Sequence, residues 1–592
     1  MSFNYKKPFF WLFICLLSFR MGLGYEFTSK DGRTLSGRLI QVAKNQVTIE
    51  RGFDGKVFSL LKSRFTMQDQ NYFNSWSERG MGQKYELKSG EKIKASAKSL
   101  RIDLIWLREN WNHFEVQRSQ SMDGPWDLME NPTSSFHLFS DYIGESGKTF
   151  FYRVRGSNLK KNKIIKSGKW SEVVSATSLE YDRSSLLDDV QEAAVRFFVE
   201  EAHPMSSLAP EGKPGWGNVC AIGSSGMGIT TLIVGSERQF ISRKKSAFLV
   251  CNILKFLVEK AESHKGAFGH WIDGESGLTK NFGGPKNSVD IVETSFILQA
   301  AIISREYFDR DNAVESSIRT YADYLSDSMQ WNHFLVDGKN GPHLVWHWHP
   351  DLGFSDLPIN GFHEAMMPYI LGLASERYPI PVESFLSGWM NGGRSFGPDL
   401  EHFGIKHSLG RGIGWPLFFA HYSHIGFDPK KLIFKEKTYF DHFTDAVRIH
   451  KLYAESRASE FKGYDKLWGL AASLSPNGYR ANHPGKNDDG TIATTASLSS
   501  MPYLPEEILD SMDTMYLDYG HELWGCYGFY NAINPTDNWV GKKYIGIELG
   551  PIAPMIENYR SGLFWNLFMK SREAKRACAL IAADEKMKIY IK

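Results

Sequence analysis

Cysteine is scarce in this chain, five in 592 residues, and Cys220, Cys251, Cys526 and Cys578 are scattered without any metal-site spacing. The scatter excludes a structural zinc module and leaves room for one or two disulfides. Long basic blocks are also missing, and the formal net charge is only +2 with 23% charged residues. A nucleic-acid backbone or an anionic membrane is therefore not the expected main partner, and a neutral ligand fits better. The apolar run from Phe9 to Phe19 falls short of the roughly 20 residues of a spanning helix. It follows Lys6 and Lys7 and precedes Gly22 and Gly24, the order of a signal peptide, and Cys15 within it lacks the small neighbours of a lipoprotein site. Export to the periplasm or beyond is expected, with a mature N-terminus near Tyr25 and no membrane span in the mature protein.

Several catalytic signatures are absent too. His343, His347, His349 and His363 suggest zinc, but HEAMM at His363 lacks the second histidine of HExxH, and no other spacing puts two ligands on one helical turn beside a free acid. GSSGMG at Gly223 to Gly228 lacks the Lys and Ser/Thr of a phosphate loop, so its glycines are read as points of close helix packing. No GxSxG elbow occurs. No metal and no cofactor are expected.

What the chain does have is aromatic residues, 14% of the total, and two changes of period. From 25 to 78 short strands alternate around turns at Asp31–Gly32 and Asp54–Gly55. This stretch, ending in KVFSLLKSRFTMQDQNYFNSW, resembles the SH3-like, SLA1-homology type of module, which implies a spacer or contact role. From 92 to 180 strands recur at sandwich spacing, IDLIWL, HFEVQRS, SFHLFSDY, FFYRVRG and SEVVSATS. Their order resembles a fibronectin type III domain, and Trp126 within it is read as a core residue.

After about Arg183 the period becomes helical. SLLDDVQEAAVRFFVEEA, SRKKSAFLVCNILKFLVEKAESH, VDIVETSFILQAAIISREYF, AVESSIRTYADYLSDSM and GFHEAMMPYILGLASERY are separated by loops rich in Gly, Pro, Trp and His. Polar clusters recur at the helix starts. The expected fold is multidomain and mainly α, an (α/α)6 toroid over 183–572 preceded by two small all-β modules, with 573–592 as a C-terminal tail. Because the period changes at Arg183, a chain starting there is expected to fold alone. In NSVDIVETSFILQA, Asp290 and Glu293 stand three apart, so their carboxyls are expected on one face of a helix at the floor of a sugar-binding cleft.

The segments CAIGSSGMGITTLIVGSERQFIS, GHWIDGESG, NSVDIVETSFILQA, VWHWHP, INGFHEAMMPYILGLAS, GIGWPLFFAHYSHIGFDP, YDKLWGLAAS, DDGTIATTASLSSMPYLPEE, LWGCYGFYNAIN and IGIELGPIAPMIENYRSGLFW resemble, in order, the bacterial glucoamylase-like domain. The stretch is similar to the endo-β-1,2-glucanases of glycoside hydrolase family 144. That resemblance implies an (α/α)6 barrel and inverting hydrolysis of a β-glucan, with the acids of DxxET on Asp290 and Glu293 and the glutamate of GxNE on Glu364. The chain departs from the family pattern at His363, Asn531 and Leu549, which bears on substrate identity more than on fold.

Glycoside cleavage needs a protonated carboxyl for the leaving oxygen and, with inversion, a second carboxylate about 6.5 to 9.5 Å away to activate water. Asp290 and Glu293 are one turn apart, so one of them is expected to work across the cleft from Glu364. Substrate-binding candidates are Trp216, Trp346, His347, Trp348, Arg411, Trp468, Trp524 and Glu548, since pyranose faces are apolar and their rims polar. Asp273, Glu548 and Glu557 are the reserve acids. The leading expectation is an exported β-glucanase, with β-1,2 the expected linkage. The alternatives are a non-catalytic carbohydrate-binding protein on the same fold and an exo-acting glucosidase of other linkage.

Overall fold

A computed structural model describes residues 25–591 apart from 43–44, 52–56, 68, 71–91, 108–110, 130–136, 162, 216, 283–287, 394–399 and 411. The residues read as a signal peptide, Trp216 and Arg411 thus lie outside the described residues.

Strands β1 (Tyr25–Thr28), β2 (Thr34–Val42), β3 (Gln46–Arg51) and β4 (Val57–Leu61) form a four-stranded antiparallel meander in chain order. Alternation places Val47 and Ile49 inward, where with Phe27 and Phe65 they make a small separate core. The second β module packs a three-stranded sheet, β5 (Ile93–Lys98), β6 (Arg101–Trp106) and β9 (Leu138–Tyr142), on a five-stranded one. That larger sheet contains β7 (His113–Ser119), β8 (Asp127–Leu128), β10 (Thr149–Lys160), β11 (Lys163–Ser167) and β12 (Val174–Thr177). Ile102, Leu104, Trp106, Phe114, Val116 and Tyr152 fill the space between the sheets.

In the helical domain buried inner helices alternate with outer ones. Helices α2 (Ile222–Glu237) and α4 (Ile291–Tyr307) are buried on all sides and pack against each other on the inner ring. Outside them lie α3 (Arg243–Glu259), capped by Ser242, and α5 (Ala313–Ser328), whose Ile318, Ala322 and Leu325 give a single inward stripe. The glycines of GSSGMG lie within α2, and a Cβ at Gly226 would meet the Ile297 backbone at 2.9 Å. The inner ring continues through α6 (Met367–Ala374), the 3-10 turn Leu417–Ala420, α8 (Thr494–Ser499), α10 (Gly546–Leu549) and α11 (Ile552–Ser561); α7 (Tyr439–Ser456) and α9 (Pro505–Leu517) are one-sided.

Two expected boundaries change. The segment set aside as a tail contains α12 (Arg572–Ala583), which packs against α6 and pairs Glu573 with the buried Arg305 at 2.6 Å. The helical domain also does not begin as an independent unit at Arg183. Leu100 and Leu138 of the sandwich belong to the main core, and α1 (Arg183–Glu200) turns acids towards sandwich cations. Lys98 Nζ lies 2.5 Å from Asp189 and 3.3 Å from Glu192, while Arg101 Nη2 lies 2.8 Å from Asp189. The Arg101 guanidinium also covers the ring of Trp524, 4.3 Å from its centroid, and Arg101 Nη1 donates to the hydroxyl of Tyr516 on α9. A seam with this much buried charge makes each side the counter-ion of the other.

Among the described residues Cys220, Cys251, Cys526 and Cys578 are free thiols. Cys526 donates across the seam to the Leu138 carbonyl. No helix of the described residues is long and apolar enough to cross a membrane.

Candidate active site

The inner helices direct their N-terminal ends to one place, and the site is built from the residues there. Asp290 has extended backbone and is the N-cap of α4, accepting from the N–H groups of Val292 and Glu293 at 2.9 and 3.0 Å on Oδ1. Its Oδ2 meets His270 Nδ1 at 3.0 Å and His347 Nε2 at 3.3 Å, the second contact following from the pairing of Asp290 with His347 in adjacent strands. Burial opposes its ionisation, but the two imidazoles outweigh that and hold the carboxyl well below the usual carboxylate range. With four donors on two oxygens and 1% exposure, Asp290 has no lone pair left for a catalytic water. Asp290 is thus the cap of the helix rather than a residue within it. The non-helical cap conformation turns Asp290 towards the histidines, while Glu293 sits one turn inside.

Glu293 Oε2 accepts from the Gly223 N–H at 2.6 Å at the start of α2. The contact requires glycine, since a Cβ at 223 would strike the carboxylate. Burial raises the Glu293 pKa to about 7; the His270 charge opposes this, while Asp290 and Glu211 add to it. Burial lowers the pKa of His270, but Glu293, Asp290 and Glu211 reverse that and carry it to about 9, so this imidazole is cationic at neutral pH. Phe282 stacks flat on it, centroids 3.6 Å apart at 6°. Glu293 thus holds a proton beside an ionised, saturated Asp290.

Glu364 reaches the site from the loop ahead of α6. Pro368 at the first turn stops that helix from extending back to it. Its backbone carbonyl accepts from Ser423 Oγ, and its Oε2 is 3.5 Å from His363 Nδ1. His363, one of the departures from the family pattern, stacks on Trp346 with centroids 5.8 Å apart. Tyr422 is buried within electrostatic reach of these acids. Burial, together with the charges of Glu548, Glu364, Glu293 and Glu211, holds its phenol proton well above the ordinary range. On the far wall Glu548 accepts from Tyr479 at 2.7 Å and from the Asn531 amide, a second departure. Burial nevertheless raises its pKa to about 8.

A cavity of about 500 Å³ opens above His270, Asp290 and His347, walled by Trp348 and rimmed by Phe282, Leu352 and Phe354. Those three rim residues are 46%, 68% and 39% exposed, an apolar edge suited to pyranose faces. Trp346→Ala is expected to raise KM about two- to tenfold, because a lost aromatic contact is worth roughly 0.5 to 1.5 kcal/mol; steady-state kinetics on a short glucan checks it.

Asp290, Glu293, Glu364, Trp346, His347, Trp348 and Glu548 are thus brought together. Trp468 and Trp524 are not. Trp468 is 3% exposed within the core and has no free face for a sugar. Trp524 lies beneath Arg101 at the sandwich seam, beside a cavity of about 530 Å³ bounded by Asp141, Tyr142, His521 and Lys542. Of the reserve acids, Asp273 caps its own turn and pairs with Lys280 at 3.0 Å, and Glu557 pairs with Arg238 at 2.6 Å. Sequence reasoning missed His270, Tyr422, Tyr479 and Glu211. The first two stand inside matched segments, GHWIDGESG and GIGWPLFFAHYSHIGFDP, where an acid was sought and other polar side chains were passed over.

Comparison with known proteins identifies the chain's relatives. The Glycoamylase family model, described as "Putative glucoamylase", matches residues 356–572. An exo β-1,2-glucooligosaccharide sophorohydrolase (non-reducing end) of Parabacteroides distasonis is 35% identical over 509 residues, covering 81% of this chain and 69% of that protein. The crystal structure of a β-1,2-glucanase from Parabacteroides distasonis superposes with a TM-score of 0.77 at 34% identity, covering 83% of this chain and 72% of that one. An endo-β-1,2-glucanase from Chitinophaga pinensis, solved with sophorotriose and glucose, gives a TM-score of 0.64 at 36% identity over 68% of this chain and 98% of its own.

Proposed function

Because this chain belongs to the glucoamylase-like family of β-1,2-glucan hydrolases, we propose that it is an exported glycoside hydrolase that cleaves β-1,2-linked glucan with inversion. What supports the mechanism is a proton-holding Glu293 together with Glu364, the charges of both of which reach the buried phenol of Tyr422. Glu293 donates its proton to the glycosidic oxygen as the C1–O bond breaks. Glu364 takes a proton from the water that attacks C1 from the opposite face, leaving an α-anomeric product and two carboxyls to exchange the proton back through solvent. Asp290 acts as a positioning residue: it keeps His270 and His347 oriented, and its charge helps Glu293 keep its proton.

Linkage is supported by what the relatives act on, and export by the charge, apolar and small-residue order of the first 24 residues. Purified protein incubated with β-1,2-, β-1,3- and α-glucans, with NMR on fresh mixtures, tests the reading. An α-anomeric first product from β-1,2-glucan is expected. A β-anomeric product, or cleavage confined to α-glucans, overturns it.

A further inference from the structure

We propose that Glu211 is a substrate-binding residue of this site, its outward carboxylate oxygen accepting hydroxyl hydrogens of the glucosyl unit held beside Trp271 between Glu293 and Glu548. This rests on the reading of the cleft as a β-glucan hydrolase site.

The segment carrying Glu211 is fixed from both sides. The Ala209 N–H donates to Ser225 Oγ on α2, and Gly212 and Lys213 pair antiparallel with Ile545 and Tyr544. The Glu211 carbonyl accepts from the Gly546 N–H at 2.8 Å, two residues before Glu548. No added Cβ would fit at Gly546, where Ser224 Oγ and the Pro210 carbonyl stand 2.8 and 2.9 Å from that position. The backbone at 211 is therefore clamped between the starts of α2 and α10, the helices that bring Gly223 and Glu548 to the site.

The side chain is held just as definitely. Oε2 accepts from Trp271 Nε1 at 3.0 Å, and Trp271 follows His270 in the strand Trp271–Asp273. Oε1 takes no hydrogen bond among the described residues, and the residue is partly exposed. A carboxylate with one oxygen anchored and the other without a protein partner among the described residues is an acceptor available to a hydroxyl group, and such charge-assisted bonds are the stronger class. Glu211 forms no ion pair among the described residues, so no cation neutralises its charge. Its negative charge is felt at Glu293, His270, Glu548 and Tyr479, which places it among the reacting groups.

The experiment uses the full chain and the β-glucan that the wild type cleaves. Glu211→Ala is expected to raise KM about ten- to a hundredfold with a smaller change in kcat, the loss expected for one hydrogen bond to a charged group. Glu211→Gln keeps the shape and removes the charge. It should shift the alkaline limb of kcat/KM to lower pH, because Glu293 then loses a neighbour that favours its protonated form. A residue that merely braced Trp271 would lower the melting temperature and leave that limb in place. Folded Glu211→Gln protein with KM within twofold of wild type and an unmoved limb overturns the proposal, and so does a KM effect that a Trp271→Phe variant reproduces in full. Wild type inactive on every glucan overturns the functional reading and this inference together. An active wild type with unaltered variants overturns only this inference.

Discussion

Glu293→Gln is expected to lower kcat by about 10² to 10⁴ while leaving KM within a few-fold, since loss of a general acid removes the proton and keeps the shape. The amide oxygen can still accept from the Gly223 N–H, so binding and fold should survive. In the wild type the alkaline limb of activity should fall near neutrality, where Glu293, raised to about 7 by burial, gives up its proton. The sign for stability follows from the same shift. An acid whose folded pKa is raised favours the fold below its unfolded value and loses that contribution as pH rises through the folded value. Above pH 7, then, Glu293→Gln should melt no lower than wild type, and a pH series of calorimetric scans beside a pH–rate profile checks both limbs. Near-normal turnover by this variant would remove Glu293 from the acid role.

Arg101→Met is expected to cost about 3 to 5 kcal/mol, the range for breaking one side of a buried ion pair. Arg101 is 1% exposed, and its loss leaves Asp189 with Lys98 alone and uncovers the indole of Trp524. Deleting everything before Arg183 should be worse. Lys98 and Arg101 go together, and the core surface that Leu100 and Leu138 cover, with the indole of Trp524, is opened to water. The Chitinophaga pinensis structure matches almost its whole length to 68% of this chain, so a helical domain of this family folds without the β modules when its own sequence allows it. In this chain the shared core and seam are expected to prevent it. Denaturant titration of Arg101→Met, and the soluble yield of the shortened chain, measure the effect; an Arg101→Met variant within 1 kcal/mol of wild type would show the seam to be dispensable.

The sequence by itself determined the layering of this protein, because period is a local property. Alternation in β2 and β3 and the 3.6-residue repeat of α3 and α5 can be read without knowing any neighbour. It also singled out the candidate acids, since DIVET and the Glu364 motif are contiguous segments of a known pattern. The surroundings of those acids come only from the tertiary structure. The role of Asp290 depends on His270, twenty residues earlier, and on His347, fifty-seven later, meeting one carboxylate oxygen. Glu293 owes its proton to burial and to the charges of Asp290 and Glu211, and Glu211 enters the site through a backbone clamp between α2 and α10. Trp524 shows the same limit from the other side: an aromatic at a helix end has the same local pattern whether it faces a sugar or an arginine of another domain, and the field around a side chain is a sum over residues that sequence distance does not order.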